Sequence, residues 1–148
     1  MIQGQWFSPG KDISSLIPVR RAVFGRGADE MDTESWNALV YEDDVPVATG
    51  RIWYRNGVYW LGDIGVLESH RCRRLGDLVL RLLLFKAQSH AASEVRLLCP
   101  DDTVGFFTRL GFIPVPETGN PMEMYIEGSH IELDSCKSCK KPDCPNRR

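Results

Sequence analysis

The chain has 148 residues, 43% of them hydrophobic, which is enough for one ordinary domain with an apolar core and a short tail. Its 18 basic and 20 acidic residues leave a net charge of −2, too little field to steer a polyanion, so nucleic acid is set aside as a leading partner. No apolar leader opens the sequence, and the longest apolar run, residues 78–85, is broken by Arg81; neither export nor a membrane span is expected, and the cytoplasm is the expected compartment.

MIQGQWF alternates loosely and meets Ser8, Pro9 and Gly10, predicting a first strand that ends in a turn. Asp12 or Ser14 is placed to cap a helix whose apolar face runs through Leu16, Val19 and Val23, flanked by Ile17 and Phe24. Pro18 falls in its first turn, and Arg20 and Arg21 are expected toward solvent. FGRGADEMDTES is polar and Gly-bearing, a loop or a short weak helix of the kind that carries function.

Residues 36–67 hold three β-rich stretches, parted by Glu42, Asp43 and Asp44 and by the turn signal Asn56-Gly57, and predict an antiparallel meander. Trp53, Tyr54, Tyr59 and Trp60 cluster about that turn; cross-strand packing accounts for them, with a substrate wall as the alternative. From Leu75 the period changes. Leu75, Leu78, Val79, Leu82, Leu83 and Lys86 fall on one helical face that Leu80 and Leu84 widen, predicting a deeply buried helix. EVRLLC then reads as a strand, TVGFFTRL as a short helix stopped by Gly111, and FIPV and MEMYI as closing strands around PETGNP.

DIGVLESHRCRRLGDLVLRLLLFKA couples a strand ending near Val66 to a helix starting near Gly76 through an Arg-rich loop. The free N–H groups and dipole of a helix start favour an anion, and Arg71, Arg73 and Arg74 add charge; the alternative is a solvated basic loop.

At this segment the sequence resembles the GNAT superfamily of acyl-CoA-dependent N-acetyltransferases, over residues 19–126. R71-C-R-R-L-G76 stands where that family has its pyrophosphate loop, Arg/Gln-x-x-Gly-x-Gly/Ala, with VPVATGRIWY upstream as its third strand and FFTRLGF downstream as its Leu-Gly-Phe helix. The resemblance implies an α/β fold with a mixed, mostly antiparallel sheet and helices on both faces over residues 1–127. It also implies acetyl-CoA as cosubstrate, a small-molecule or peptide amine as acceptor, and homodimers as a common assembly. By the same resemblance Ile64, Gly65, Val66, Leu67 and Glu68 lend backbone to the pantetheine arm. Cys72, Arg73, Arg74, Leu75, Gly76 and Asp77 cradle the pyrophosphate behind Arg71, and Phe106 and Phe107 face the cofactor. Arg74 replaces a usual Gly, Cys72 an optional one, Phe107 a Tyr that protonates the departing thiolate, and Pro100 an Asn.

For chemistry, Asp63 on the central strand is either a base acting through water or a carboxylate paired with an arginine; Glu68 and His70 lie near it in sequence. The implied activity is acetyl transfer to a primary amine, with an oxyanion held by a backbone N–H near residues 65–67. The competing reading keeps the fold as a CoA-binding sensor without turnover. Acceptor specificity falls to residues 25–34 and to PETGNP.

Residues 128–148 lose the apolar pattern. Cys136 and Cys139 are spaced to grip one zinc ion, Cys144 follows, and His130 is the fourth expected ligand; the alternative is a tail of free thiols. A nucleic-acid knuckle, suggested by the five Lys and Arg of the tail, lacks any aromatic to stack a base.

Overall fold

The computed structural model describes residues 1–116 and 121–133. In chain order these form β1 (Ile2–Phe7), α1 (Ile17–Phe24), a 3-10 turn (Glu30–Thr33), β2 (Trp36–Glu42), β3 (Val45–Arg55) and β4 (Val58–Val66). There follow α2 (Leu75–Ser89), β5 (Glu94–Cys99), α3 (Val104–Thr108), β6 (Ile113–Pro114) and β7 (Met122–Glu127). The expected meander is present: Asn56 and Gly57, both at positive φ, close the β3–β4 hairpin.

The strands make one sheet in the order β1-β2-β3-β4-β5-β7-β6, antiparallel throughout except for the β4–β5 pair. Strand alternation divides the core between its faces. Ala38, Val40, Ala48 and Ile52 join Val79, Leu80, Leu83 and Leu84 of α2 in one apolar cluster, whereas Leu39 packs with Phe7, Leu16 and Val19 on the α1 side. The mixed sheet with helices on both faces is thus as the sequence implied. α2 lies close: a Cβ on Gly50 would come within 2.7 Å of Val79 Cγ1, so only glycine admits the helix at that point. Lys86, a cation on the apolar face of α2, is half-buried with its ammonium 4.6 Å from the Trp6 ring centre and 4.0 Å from that of Trp36.

Two details of α1 differ from expectation. Asp12 accepts from the Ser14 N–H at 2.9 Å and closes a turn ahead of the helix instead of capping it. Arg20, expected toward solvent, is fully buried, because its guanidinium meets carboxylates carried in by the following loop and by β4. Among the described residues no helix is long and apolar enough to cross a membrane.

Candidate functional site

The β4–β5 ladder is short. It pairs Tyr59, Trp60 and Leu61 with Val95, Arg96 and Leu97, after which β4 runs on to Val66 and β5 to Cys99 as separate strands. Where they part, β4 carries one extra residue: Arg51 lies opposite Gly62 and Thr49 opposite Gly65, and Asp63 takes φ +52 in the resulting bulge. A cleft of about 1210 Å³ opens there, with Ile64, Gly65 and Val66 on one wall, Phe106 and Phe107 on another, and the loop before α2 at its mouth.

Register decides which backbone groups face this cleft. The Leu67 N–H donates to Val47 C=O at 2.9 Å, so alternation bonds Gly65 to Thr49 as well and turns the N–H and C=O of Ile64 and Val66 away from β3. Val66 C=O is indeed on that side, where it accepts from Arg71 Nε at 3.1 Å.

The loop takes a conformation that glycine would adopt without cost. Cys72 has φ +67 and Arg74 φ +63, the two positions where the resemblance expects Gly. Backbone that turns through left-handed residues aims successive N–H groups at one point, an anion nest. The first helical bond of α2 runs from Leu78 N–H to Arg74 C=O at 3.1 Å, so the N–H groups of Leu75, Gly76 and Asp77 precede the ladder. Replacing Arg74 with Gly is expected to raise the free energy of unfolding by up to about 1 kcal/mol, since the left-handed penalty outweighs the entropy that glycine adds to the unfolded chain. Denaturant unfolding measures it, and a fall in stability would show that the arginine's own contacts dominate.

Of the residues assigned to the cofactor, Leu67, Glu68 and Arg73 lie outside the cleft lining; Arg73 turns to Glu42, 2.6 Å away. Arg81 and Arg109, which sequence reasoning missed, line it. Arg81 follows Asp77 by one helical turn and is bonded to it at 2.9 Å, cancelling a negative charge at the helix start. Phe107 is buried, edge-on to Phe106 at 5.0 Å and to Phe112 at 5.9 Å. Its ring brings no hydroxyl to the cleft.

On the α1 face, beside the bulge, three arginines and three aspartates form a polar cluster that no contiguous motif signals. Arg20 binds Asp32 at 2.8 and 3.0 Å and Asn37 at 2.9 Å, while Arg51 binds Asp29 at 2.6 Å and Asp32 at 3.2 Å. Asp63, 9% exposed, receives Arg26 on Oδ1, and its Oδ2 lies 3.5 Å from Arg20 Nε and 3.3 Å from Arg51 Nε. Of the two roles weighed for Asp63, the geometry displays the pairing: three guanidiniums surround the carboxylate. Burial works to raise the Asp32 pKa, but the Arg20 hydrogen bonds, the Asp29 N–H and the charges of Arg20 and Arg51 outweigh it and hold the carboxyl at about 2. Arg51 likewise holds Asp29 low, chiefly by hydrogen bonding. The available signal was the presence of Arg51 and Asp63 inside strands that otherwise run through the core, since a buried charge demands a partner.

Of the expected metal set, Cys136, Cys139 and Cys144 lie outside the described residues. His130 is exposed, its Nδ1 3.8 Å from Glu127, and among the described residues no group of three or more metal-ligating side chains gathers.

Comparison with known proteins agrees with this geometry. An N-acetyltransferase of Bacillus subtilis, YjcF, uncharacterised in function, is 32% identical over 84 residues, 57% of this chain and about 60% of that protein's length. In fold, the chain resembles an acyl-CoA N-acyltransferase from Pseudomonas aeruginosa (TM-score 0.75, 17% identity, 84% of this chain and 99% of that one). It also resembles ElaA of Escherichia coli (TM-score 0.71, 24% identity, 86% and 100%). A third likeness is to the PaiA N-acetyltransferase of Thermoplasma acidophilum, solved in complex with coenzyme A (TM-score 0.69, 13% identity, 86% and 99%). The profile of the Acetyltransferase (GNAT) family matches residues 6–112, most of the chain and nearly every element that builds the cleft, and the chain belongs to that family.

Proposed function

We propose that the protein transfers an acetyl group from acetyl-CoA to a primary amine by direct attack within a ternary complex. One observation carries this reading: a helix start and a left-handed nest at residues 71–76 stand at the mouth of a gap walled by the N–H and C=O groups of Ile64 and Val66. Coenzyme A fits that arrangement. Its phosphates would take the free N–H groups of Leu75, Gly76 and Asp77, with Arg71 and Arg74 beside them, and its arm would lie along β4 toward the point where the gap closes, at Leu61 and Leu97. A cofactor-bound fold relative supports the same choice.

In the reaction, the amine nitrogen in its neutral form attacks the thioester carbonyl carbon, and the N–H of Ile64 or Val66 receives the oxygen as it gains charge. The C–S bond then breaks and the sulfur leaves as thiolate, while the nitrogen, which carries two protons after the attack, gives one to water and keeps the other in the amide. A thiol with a pKa near 8.5 is a tolerable leaving group without an acid. Asp63 serves as an anchor that ties the loop of Arg26 to β4, and not as the base.

The test is acetyl-CoA turnover with a panel of amines, read as free thiol released. Phe107→Tyr is expected to raise turnover roughly tenfold or more, less than a full general-acid effect because the thiolate already leaves tolerably unaided, by offering a hydroxyl to the departing sulfur. An active enzyme whose rate the change leaves untouched would show that thiolate protonation is not limiting. The buried ring of Phe107 favours a second reading, a CoA-binding sensor; coenzyme A binding with no amine acetylated by either protein would establish it.

A further inference from the structure

The cleft continues past the loop of residues 71–76, and three segments of the chain meet along its outer part. α2 and α3 each follow a strand of the parallel β4–β5 pair, so both helices begin on the side where those strands end. Arg81 stands six residues beyond the first residue of α2, and Arg109 five beyond the first of α3, still in helical conformation. Those offsets are rises of about 9 and 7.5 Å. The two arginines therefore line the one cleft at similar depth, each from its own helix.

The third segment is the chain after β7. Gln88 Nε2 donates to Ile131 C=O at 3.4 Å and Arg81 Nη1 to Leu133 C=O at 2.9 Å, which lays residues 131–133 along α2 toward its start. Ile131 is buried, and its neighbours His130 and Glu132 line the cleft. This strip lies beyond residues 6–112, the span that the family profile matches.

The cleft arginines differ in what they have left to give. Arg71 Nε is taken by Val66 C=O, and Arg81 spends Nε on Asp77 and Nη1 on Leu133 C=O, keeping Nη2 without a partner among the described residues. Arg109 is exposed and has no hydrogen bond or ion pair among the described residues. Two carboxylates also line the cleft, Asp102 and Glu132. Asp102 precedes α3 and is seven residues from Arg109, about 10 Å along a helix, and Glu132 already has a partner in the fold.

The spacing suits a second anion. The N–H groups that precede the α2 ladder end at Asp77, and Arg81 follows one turn later, about 6 Å along the axis. In coenzyme A one ribose parts the pyrophosphate from the 3′-phosphate, a phosphomonoester with about two negative charges at neutral pH. We propose that Arg81 and Arg109 hold this 3′-phosphate, with His130 on the third side, and that they make the protein select coenzyme A over its 3′-dephospho form. The proposal rests on the coenzyme A reading of the cleft and assigns the residues that recognise the cofactor's outer end.

Calorimetric titration with coenzyme A and with 3′-dephospho-coenzyme A tests it without any need for turnover. The wild type is expected to bind coenzyme A roughly a hundredfold more tightly, the worth of two charge-assisted hydrogen bonds. Arg109→Gln is expected to bring that ratio to about ten by weakening coenzyme A alone, and to unfold at the wild-type temperature because the side chain it removes touches no partner. Arg73→Gln deletes the same charge from a side chain turned to Glu42, and is expected to keep the wild-type ratio. Equal affinities in the wild type overturn the proposal, as does a ratio that Arg109→Gln leaves unchanged. A ratio that Arg73→Gln lowers as far also overturns it, because a diffuse basic field then explains the preference. Binding of both forms with equal affinity removes the 3′-phosphate site and leaves the coenzyme A reading standing, whereas binding of neither form rejects that reading and the proposal with it.

Discussion

Gly76→Val is expected to leave the protein folded and to weaken coenzyme A binding by roughly ten- to a hundredfold, the loss of about one charge-assisted hydrogen bond. The fold tolerates the side chain because a Cβ at Gly76 meets only Val66 Cγ2 at 3.7 Å and Phe106 Cζ at 3.9 Å, ordinary contact distances. Those two residues wall the cleft, so the added methyl groups occupy the space that a phosphate must cross to reach the helix N–H groups. Thermal unfolding near the wild-type temperature, with calorimetric affinity reduced, is the expected pair of results. Unchanged affinity would show that residues 71–76 are not the phosphate cradle.

Arg20→Met is expected to destabilise the protein by about 3–5 kcal/mol, because it strands Asp32 and part of Asp63 in a buried setting with fewer cations. Against the 5–15 kcal/mol typical of a domain, that is a large share. The same cluster sets the acid limit. Asp32 titrates at about 2 in the fold, below its ordinary value of 3.8, so its contribution is complete at neutral pH and is lost as pH falls from about 4 toward 2. Asp29 shifts in the same direction. Wild-type stability measured by urea unfolding should decline over that window by about 2 kcal/mol from Asp32 alone. The decline should be shallower in Arg20→Met. An equally steep acid loss in the variant would place the pH dependence elsewhere.

Most of the fold could be read from apolar spacing. The period-two runs of β2, β3 and β4, the 3.6-residue period of α2 and the Asn56-Gly57 turn are local signals, and each element lies where they put it. The loop of residues 71–76 between β4 and α2 was readable for the same reason: its residues are contiguous. The polar cluster was not, because Arg20, Asp32, Arg51 and Asp63 come from four separate segments and meet only after the sheet has formed. Arg20 misled for a further reason, since an arginine on a short amphipathic helix ordinarily belongs on its wet side. The exit of Arg73 to Glu42 and the arrival of Arg81 and Arg109 at the cleft depend likewise on side-chain direction, to which composition is blind.

The bulge at Asp63 has a mechanical meaning. Because Arg51 and Thr49 face Gly62 and Gly65, β4 is one residue too long for its partner over this stretch. Deleting that residue would restore strict alternation without moving any flanking side chain to the other face. Extra length in one strand is absorbed as local twist, and here the twist falls at the point where β4 leaves β5. A single surplus residue thus acts as a wedge. It keeps two parallel strands from zipping together along their full length, and the cavity between them exists because the sheet was prevented from completing itself.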